Sequence, residues 1–445
     1  MKKFIFVVSV FSFLLSGFSL AQDIETHGFI DYRYGQRTQS DSFEDDAALN
    51  DLRLQLNSLW YHDLFTAQLK AALVYDQEAN ERDDINLETG QGFFDLRQAN
   101  ILFSPLTWMD VKFGRQVLTW GTGDLVFIND LFPKDWQSFF LGRDDEYLKA
   151  PSDALFVSVF PAFANIDIAY TPRFDSDRHI TGERLSYWNG HQIAGQNSLI
   201  DTDRPDDWFQ DDEVAARIYR MVGNYEAAVY GYYGFWKSPG GMDTNTAKWI
   251  FPALAVYGGS LRGSLGSGIA NVELGYYDSM DDRNGDNPFI NNSEARFLVG
   301  YEQEMIRNLT VGIQYYIEHL MNHDDYEDAL AANQMPKNTA RDENRHTITL
   351  RLTYLMMNQN LILSCFARYS PSDEDIYIKP VATYKISDNW QASIGGNFFA
   401  GKEEHTFLGQ FENNSNLNAS LRYSFLARSQ NLWVDLNSCV YLNRP

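Results

Sequence analysis

In Arg345-His346-Thr347-Ile348-Thr349-Leu350-Arg351-Leu352-Thr353-Tyr354, every second residue is of one kind. His346, Ile348, Leu350, Leu352 and Tyr354 share one parity. Arg345, Thr347, Thr349, Arg351 and Thr353 share the other. A side-chain period of two places the two sets on opposite faces of a β-strand, one apolar and one wettable. A tilted strand of about ten residues crosses the hydrocarbon of a bilayer. The alternation returns in Leu417, Ala419, Leu421, Tyr423 and Phe425 against Asn416, Asn418, Ser420, Arg422 and Ser424. Repeated along the chain, it predicts an all-β fold: a transmembrane, antiparallel, up-and-down β-barrel of about 18 strands with long extracellular loops.

The N-terminus supports export. Lys2 and Lys3 precede the apolar run Phe4 to Leu15, and Ser19-Leu20-Ala21 supplies small residues before Gln22. This is the layout of a secretory signal peptide over residues 1–21, with the barrel over 22–427 in the outer membrane of a Gram-negative cell. No later stretch is long and apolar enough to span as a helix, so integration must use strands. A mean hydropathy of −0.37 fits a barrel whose strands are wet on one face, and an aromatic content of 15% suits interfacial girdles. The net charge of −24 argues against nucleic acid as a partner. Acids concentrate in Asp41 to Asp46, Asp76 to Asp84, Asp201 to Glu213, Asp281 to Asp286 and Asp324 to Asp328, which read as solvated loops. Divalent cations bridging such loops to lipopolysaccharide are a further reading. Expected partners are the bilayer, lipopolysaccharide, a small hydrophilic solute and, during insertion, the barrel-assembly machinery. No cofactor is expected, and the sequence leaves the oligomeric state open.

Connection lengths give an independent signal. Short links such as His62-Asp63, Gly223-Asn224 and Met305 to Arg307 alternate with long ones such as Glu78 to Gly92, Arg173 to Asp212 and Leu320 to Asn344. Short turns at one end and long loops at the other are the asymmetry of an outer-membrane barrel; a soluble sandwich has no reason for it. Two places fit poorly. Arg115 shares parity with Val111, Phe113 and Val117, so either a bulge re-aims it or it lies at the interface. Residues 428–445, with Leu432, Val434, Leu436, Val440 and Leu442, read as a tail or an extra strand.

With the apolar parity facing lipid, the bore receives Arg33, Arg53, Lys70, Arg97, Lys112, Arg217, Arg296, Arg345, Arg351, Arg368, Lys379 and Arg422, together with Asp31, Asp95, Asp110, Asp167, Glu213, Glu226, Glu273, Glu294, Glu302 and Glu318. A lumen of mixed sign is the wet face of a pore, although such ions also pair and simply hold the wall. The connection Trp120 to Asp153 is too apolar to lie in water, with Phe132, Trp136, Phe139 and Phe140 needing cover. Folded inward, residues 120–153 would form a constriction loop with Asp124, Lys134, Asp135, Arg143 and Asp144 near the narrow point.

Gly114-Arg115-Gln116, Trp120-Gly121, Asp124, Ile128-Asn129-Asp130 and Pro133-Lys134-Asp135 resemble a segment shared by large porin-like outer-membrane proteins, some grouped with the alginate-export porin family. The resemblance covers about forty residues and implies an outer-membrane channel of about eighteen strands. An alginate conduit is expected to be strongly basic, whereas the inward positions here are of mixed sign.

Sites of other chemistry are poorly matched. His319 and His323 have a helical metal-binding spacing but lie where the chain leaves a strand, and Asp282, Asn284 and Asp286 around Gly285 match a calcium loop only in part. No metal site is expected. No nucleophile elbow or phosphate-cradling loop occurs, so the chain is expected not to be an enzyme. The leading expectation is a porin-like channel for small hydrophilic or anionic solutes. The alternatives are an exopolysaccharide export channel and a non-conducting surface barrel or adhesin.

Overall fold

The computed structural model describes residues 24–79, 85–90, 92–336 and 340–428. The expected leader, residues 1–21, and the tail beyond Arg428 lie outside them.

Eighteen long strands form one sheet. In chain order they are β1 (Ile24–Arg37), β2 (Ala47–His62), β3 (Phe65–Asp76), β4 (Phe94–Leu106), β5 (Met109–Gln116), β6 (Ser152–Val159), β7 (Asn165–Thr171), β8 (Glu213–Val222) and β9 (Tyr225–Phe235). Then come β10 (Ala253–Leu265), β11 (Gly268–Ser279), β12 (Glu294–Ile306), β13 (Leu309–Leu320), β14 (Asn344–Met356), β15 (Leu361–Ser370), β16 (Asp375–Lys385), β17 (Trp390–Gly401) and β18 (Asn416–Arg428). Each pairs antiparallel with its sequence neighbours. β1 closes on β18 from Glu25↔Arg428 to Arg37↔Asn416. The sheet therefore has no free edge among the described strands, which removes the unpaired N–H and C=O row that hydrocarbon will not tolerate.

Alternation along each strand sorts the side chains. Ile30, Leu52, Ile101, Ile168, Val229, Leu274, Ile313, Leu350 and Ile394 project from the outer wall. Rings border this aliphatic belt. Tyr34, Tyr75, Tyr233, Tyr276 and Tyr369 lie toward the long-loop end, and Trp60, Tyr61, Trp108, Phe163, Tyr384 and Trp390 toward the short-turn end. Amphipathic rings at both rims with aliphatics between match a bilayer's cross-section.

The turns follow the expected alternation. Gly223 (φ 62°), Gly266 (φ 61°) and Asn308 (φ 68°) supply the left-handed conformation that two-residue hairpins need. The long-loop end has one exception, the brief Pro371-Ser372-Asp373-Glu374 between β15 and β16. Two short helices lie in the connections: α1 (Trp136–Leu141) after β5, and α2 (His323–Ala332) after β13.

The chain turns its apolar core inward, into the bore. One cluster joins Phe139, Phe140, Leu141 and Leu148 to the wall residues Phe366, Tyr377 and Phe399 and to Leu185, Tyr187, Leu408 and Phe411 from other connections. A second joins Leu118, Val126, Ile128 and Phe132 to Tyr232, Leu254, Tyr277, Leu298 and Tyr316 on the facing wall. The acid runs are accordingly less solvated than expected: Asp76 and Glu213 are both buried.

Candidate functional site

Gly114 starts the path into the bore. Its φ of +114° suits only glycine, a Cβ there would meet the Ala99 carbonyl oxygen at 2.3 Å, and the pairing with β4 and β6 runs through it without a shift. Phe113 points outward while Arg115 and Gln116 are both buried. No bulge re-aims Arg115: it pairs in register with Ala99 and Asp153 at the long-loop end of β5, and its guanidinium donates to both oxygens of Asp153, at 2.9 and 2.6 Å.

Residues 117–151 then cross the lumen, held at both ends. On the β11–β13 side, the N–H groups of Thr122 and Gly123 donate to Glu273, the latter at 2.9 Å. Asn129 donates to the other oxygen of Glu273 at 3.0 Å, and the Asp124 N–H donates to Gln314 at 2.7 Å. In the middle, Asp135 caps α1 by accepting from the Ser138 N–H at 2.7 Å, and Gly142 ends the helix in the left-handed region. Phe140 packs edge-on to Tyr377 and Phe399, with centroids at 5.7 and 5.2 Å. On the far side, Tyr147 donates to Gln55 at 3.1 Å beneath the Arg53 guanidinium, 4.4 Å from its ring centroid.

At mid-height this segment sets carboxylates against cations of the wall. Asp144 accepts from Arg33 of β1 at 2.6 Å and Arg422 of β18 at 2.5 Å, so it ties both strands of the closing seam. Asp145 meets Lys379 of β16 at 2.6 Å and lies 3.8 Å from Arg351 of β14. Asp124 takes a two-pronged contact from the same Arg351, and Glu146 meets Lys70 of β3 at 3.0 Å. Burial pushes the Asp144 carboxyl up, but Arg33 and Arg422 outweigh it and hold it below the usual carboxylate range.

The other expected wall positions fall into three groups. Arg53 and Arg97 lie under the crossing segment: Arg53 pairs with Asp95 at 3.0 Å, and Arg97 donates to the carbonyls of Glu146 and Lys149. Arg217 pairs with Glu226 at 2.5 Å, Arg296 with Glu294 at 2.6 Å and Arg345 with Asp373 at 2.8 Å. Lys112 and Arg368 have no carboxylate at ion-pair distance among the described residues; Arg368 instead lies 4.7 Å over the Phe407 ring.

Within the crossing segment, Asp124 and Asp144 face the wall, but three expected companions serve inside the fold. Lys134 is buried against Asp130 at 3.0 Å, and Asp135 is spent on α1 and on Arg178 at 3.2 Å. Arg143 anchors the segment to Asp51 and Asp76 of β2 and β3, at 2.9 and 3.0 Å. Arg178 and Arg184 went unread in the sequence. Both come from the long connection 172–212, of which only Asp201 to Glu213 reads as solvated loop, and Arg184 joins Asp76 at 2.8 Å. No local periodicity marks them; the Arg-rich spacing between two short apolar runs was the available signal.

The long-loop end holds two adjoining cavities that share Phe407 and Gln410. One, of about 610 Å³, is lined by Glu318, Arg341, Arg345, Asp373 and Lys402 among others. The other, of about 320 Å³, is lined mainly by rings, including Trp136, Trp188 and Trp249. Asp282 spends its carboxylate on the N–H groups of Gly285, Asp286 and Asn287, and His323 bonds the Arg341 carbonyl at 2.9 Å. Among the described residues no cluster of metal-ligating side chains forms.

A closed eighteen-stranded antiparallel barrel has known counterparts. The fold is that of the porins. The Acinetobacter baumannii protein OccAB4 superposes with a TM-score of 0.54 at 8% identity, over 92% of this chain and 100% of its own. OccAB1 from the same organism gives 0.54 at 7%, over 91% of this chain and 97% of its own. Pseudomonas aeruginosa OccK3 gives 0.52 at 10%, over 92% and 98%. No family model matches the sequence, and no curated protein matches it. At such identities the likeness shows the porin fold and nothing finer.

Proposed function

We propose that this chain is an outer-membrane channel that passes small hydrophilic solutes passively, with residues 117–151 setting its selectivity. The carrying observation is the polar mid-height of the bore. Wall cations there meet carboxylates of the crossing segment that keep contact with water, as Asp124 and Asp145 do at 43% and 47% exposed. A barrel built only to be filled would place apolar side chains at that level. The export leader and the ring-bordered apolar belt support the outer membrane as its location, with the long loops outward. Incorporation of the folded protein into a planar bilayer tests the reading: it predicts stable single-channel steps, and replacing Arg345 and Arg351 by Glu should change their size or ion preference.

A second reading, a non-conducting surface barrel, draws on the aromatic cluster around Phe140, which closes part of the bore. Protein of proven fold that leaves the bilayer silent selects it.

A further inference from the structure

We infer that the narrow level of this bore favours positively charged solutes, because the mid-height ion pairs turn their carboxylates toward the water and their cations toward the wall. This rests on the channel reading above and adds the charge class of what passes.

The pairs decide it one by one. Asp124 is 43% exposed against 21% for Arg351, Asp145 is 47% against 8% for Lys379, and Glu146 is 41% against 19% for Lys70. Asp144 is likewise more exposed than both Arg33 and Arg422, Asp153 than Arg115, and Glu226 than Arg217. The ordering does not follow from residue type, since it reverses at the long-loop end, where Arg341 is 37% exposed against 1% for Glu294. A balanced pair acts on a passing ion through its nearer pole, because Coulomb energy falls with distance and salt screens the farther charge within about 8 Å. In each pair that the crossing segment's acids make with Arg33, Lys70, Arg351, Lys379 and Arg422, the nearer pole is a carboxylate; among pairs within the wall the order varies, Arg422 (16%) being more exposed than Asp31 (7%). For Asp124, Asp144, Asp145 and Glu146 the cause is geometric: these acids lie on the crossing segment, which reaches into the lumen, while their cations root in the strands and are covered by that same segment. Among the described wall cations of inward parity, Lys112, Arg262, Arg368 and Lys385 have no carboxylate at ion-pair distance; Arg262 and Lys385 lie toward the short-turn end. Lys112 lies toward the short-turn end beside Asp110, and Arg368 is stacked behind Phe407. The expectation of anionic solutes took wall arginines as the surface that solute meets; the arrangement of the pairs points the other way.

Two measurements test this. In a salt gradient, the wild-type reversal potential should report cation preference, and the triple variant Asp124→Asn, Asp145→Asn, Glu146→Gln should lose most of it. Anion preference in the wild type, or an unchanged potential in the variant, overturns the inference while leaving a channel standing. The second measurement needs no current. Gly312 lies between Glu302 and Arg351, and a Cβ there meets Glu302 at 3.7 Å and Arg351 at 3.9 Å, ordinary contacts. Gly312→Cys in a Cys365→Ser, Cys439→Ser background places a reporter thiol in the bore. A trimethylammonium-bearing methanethiosulfonate should modify it about tenfold faster than the sulfonate-bearing one, after normalisation to free mercaptoethanol, as a negative focused field requires. Adding Asp124→Asn should shrink that ratio. Equal normalised rates, or a faster anionic reagent, overturn the inference. A silent bilayer with the cationic reagent still faster overturns the channel reading alone and upholds the polarity of the bore.

Discussion

Asp144→Asn keeps the volume of the side chain and removes the charge that Arg33 and Arg422 share across the β1–β18 seam. Net hydrogen bonds to charged groups contribute roughly 1.5–3 kcal/mol each when well buried. Asp144 keeps 33% exposure, so the lower end applies, and losing both contacts should cost about 2–3 kcal/mol. The barrel has hundreds of strand hydrogen bonds to hold it, so the loss should appear as local opening of the crossing segment rather than as global unfolding. Local opening eased by that amount raises amide exchange about 30–150-fold. The informative amides are the Arg143 N–H, which donates to the Ser138 carbonyl at 3.0 Å, and the Tyr147 N–H, which donates to the Asp144 carbonyl at 2.9 Å. Strand amides of β14 serve as the control and should not change. The wild type should show the same effect with acid. A carboxyl held below its usual range contributes stability above its unfolded pKa, and that contribution is lost as pH falls through the folded value. Protection in the segment, taken relative to the intrinsic exchange rate at each pH, should therefore fall below about pH 4 in the wild type but not in the variant. Protection at Arg143 and Tyr147 that Asp144→Asn leaves intact would refute the reasoning, and would mean that the Phe139–Phe140 cluster alone holds the segment.

Three further outcomes are expected. Phe140→Ala, at a ring 4% exposed among Tyr377, Phe399 and Phe411, should destabilise by roughly 3–5 kcal/mol and lower the temperature at which the barrel shifts to its unfolded gel mobility. Gly114→Ala should also lower that temperature, because a side chain at φ +114° is strained and meets the Ala99 carbonyl, whereas Gly223→Ala, with open space around it, should cost less. Burial, reinforced by Glu213, pushes Asp175 up to about 7, and burial, reinforced by Asp41 against the pull of Arg37, pushes Glu44 up to about 7. Acids raised on folding favour the native packing while protonated. Protease resistance of the 172–212 connection should therefore be greatest below about pH 4 and decline toward pH 7, with Asp175→Asn flattening the profile.

The wall of this protein is legible in its sequence because the information is local. Period-two alternation in His346 to Tyr354 or Leu417 to Phe425 decides which face meets lipid from neighbours alone, and hairpin turns such as Gly223-Asn224 carry their own conformational signal. Strand number, order and most boundaries follow from those two cues, as does the inward placement of the arginines. The register shifts, such as those at Gly35/Gln36 and Lys70/Ala71, are not marked by the alternation, because they depend on how the partner strand pairs. What the bore does with its charges was decided only in three dimensions. Arg351 finds Asp124 across 227 residues and Arg422 finds Asp144 across 278, and no periodicity encodes such encounters. Lys134, Asp135 and Arg143 look alike in sequence to Asp124 and Asp144, yet the fold spends the first three on capping and anchoring and leaves the other two at the water's edge. Parity says that a side chain points inward. Only the packed crossing segment says which member of each pair is covered, and the covered member no longer meets the solute.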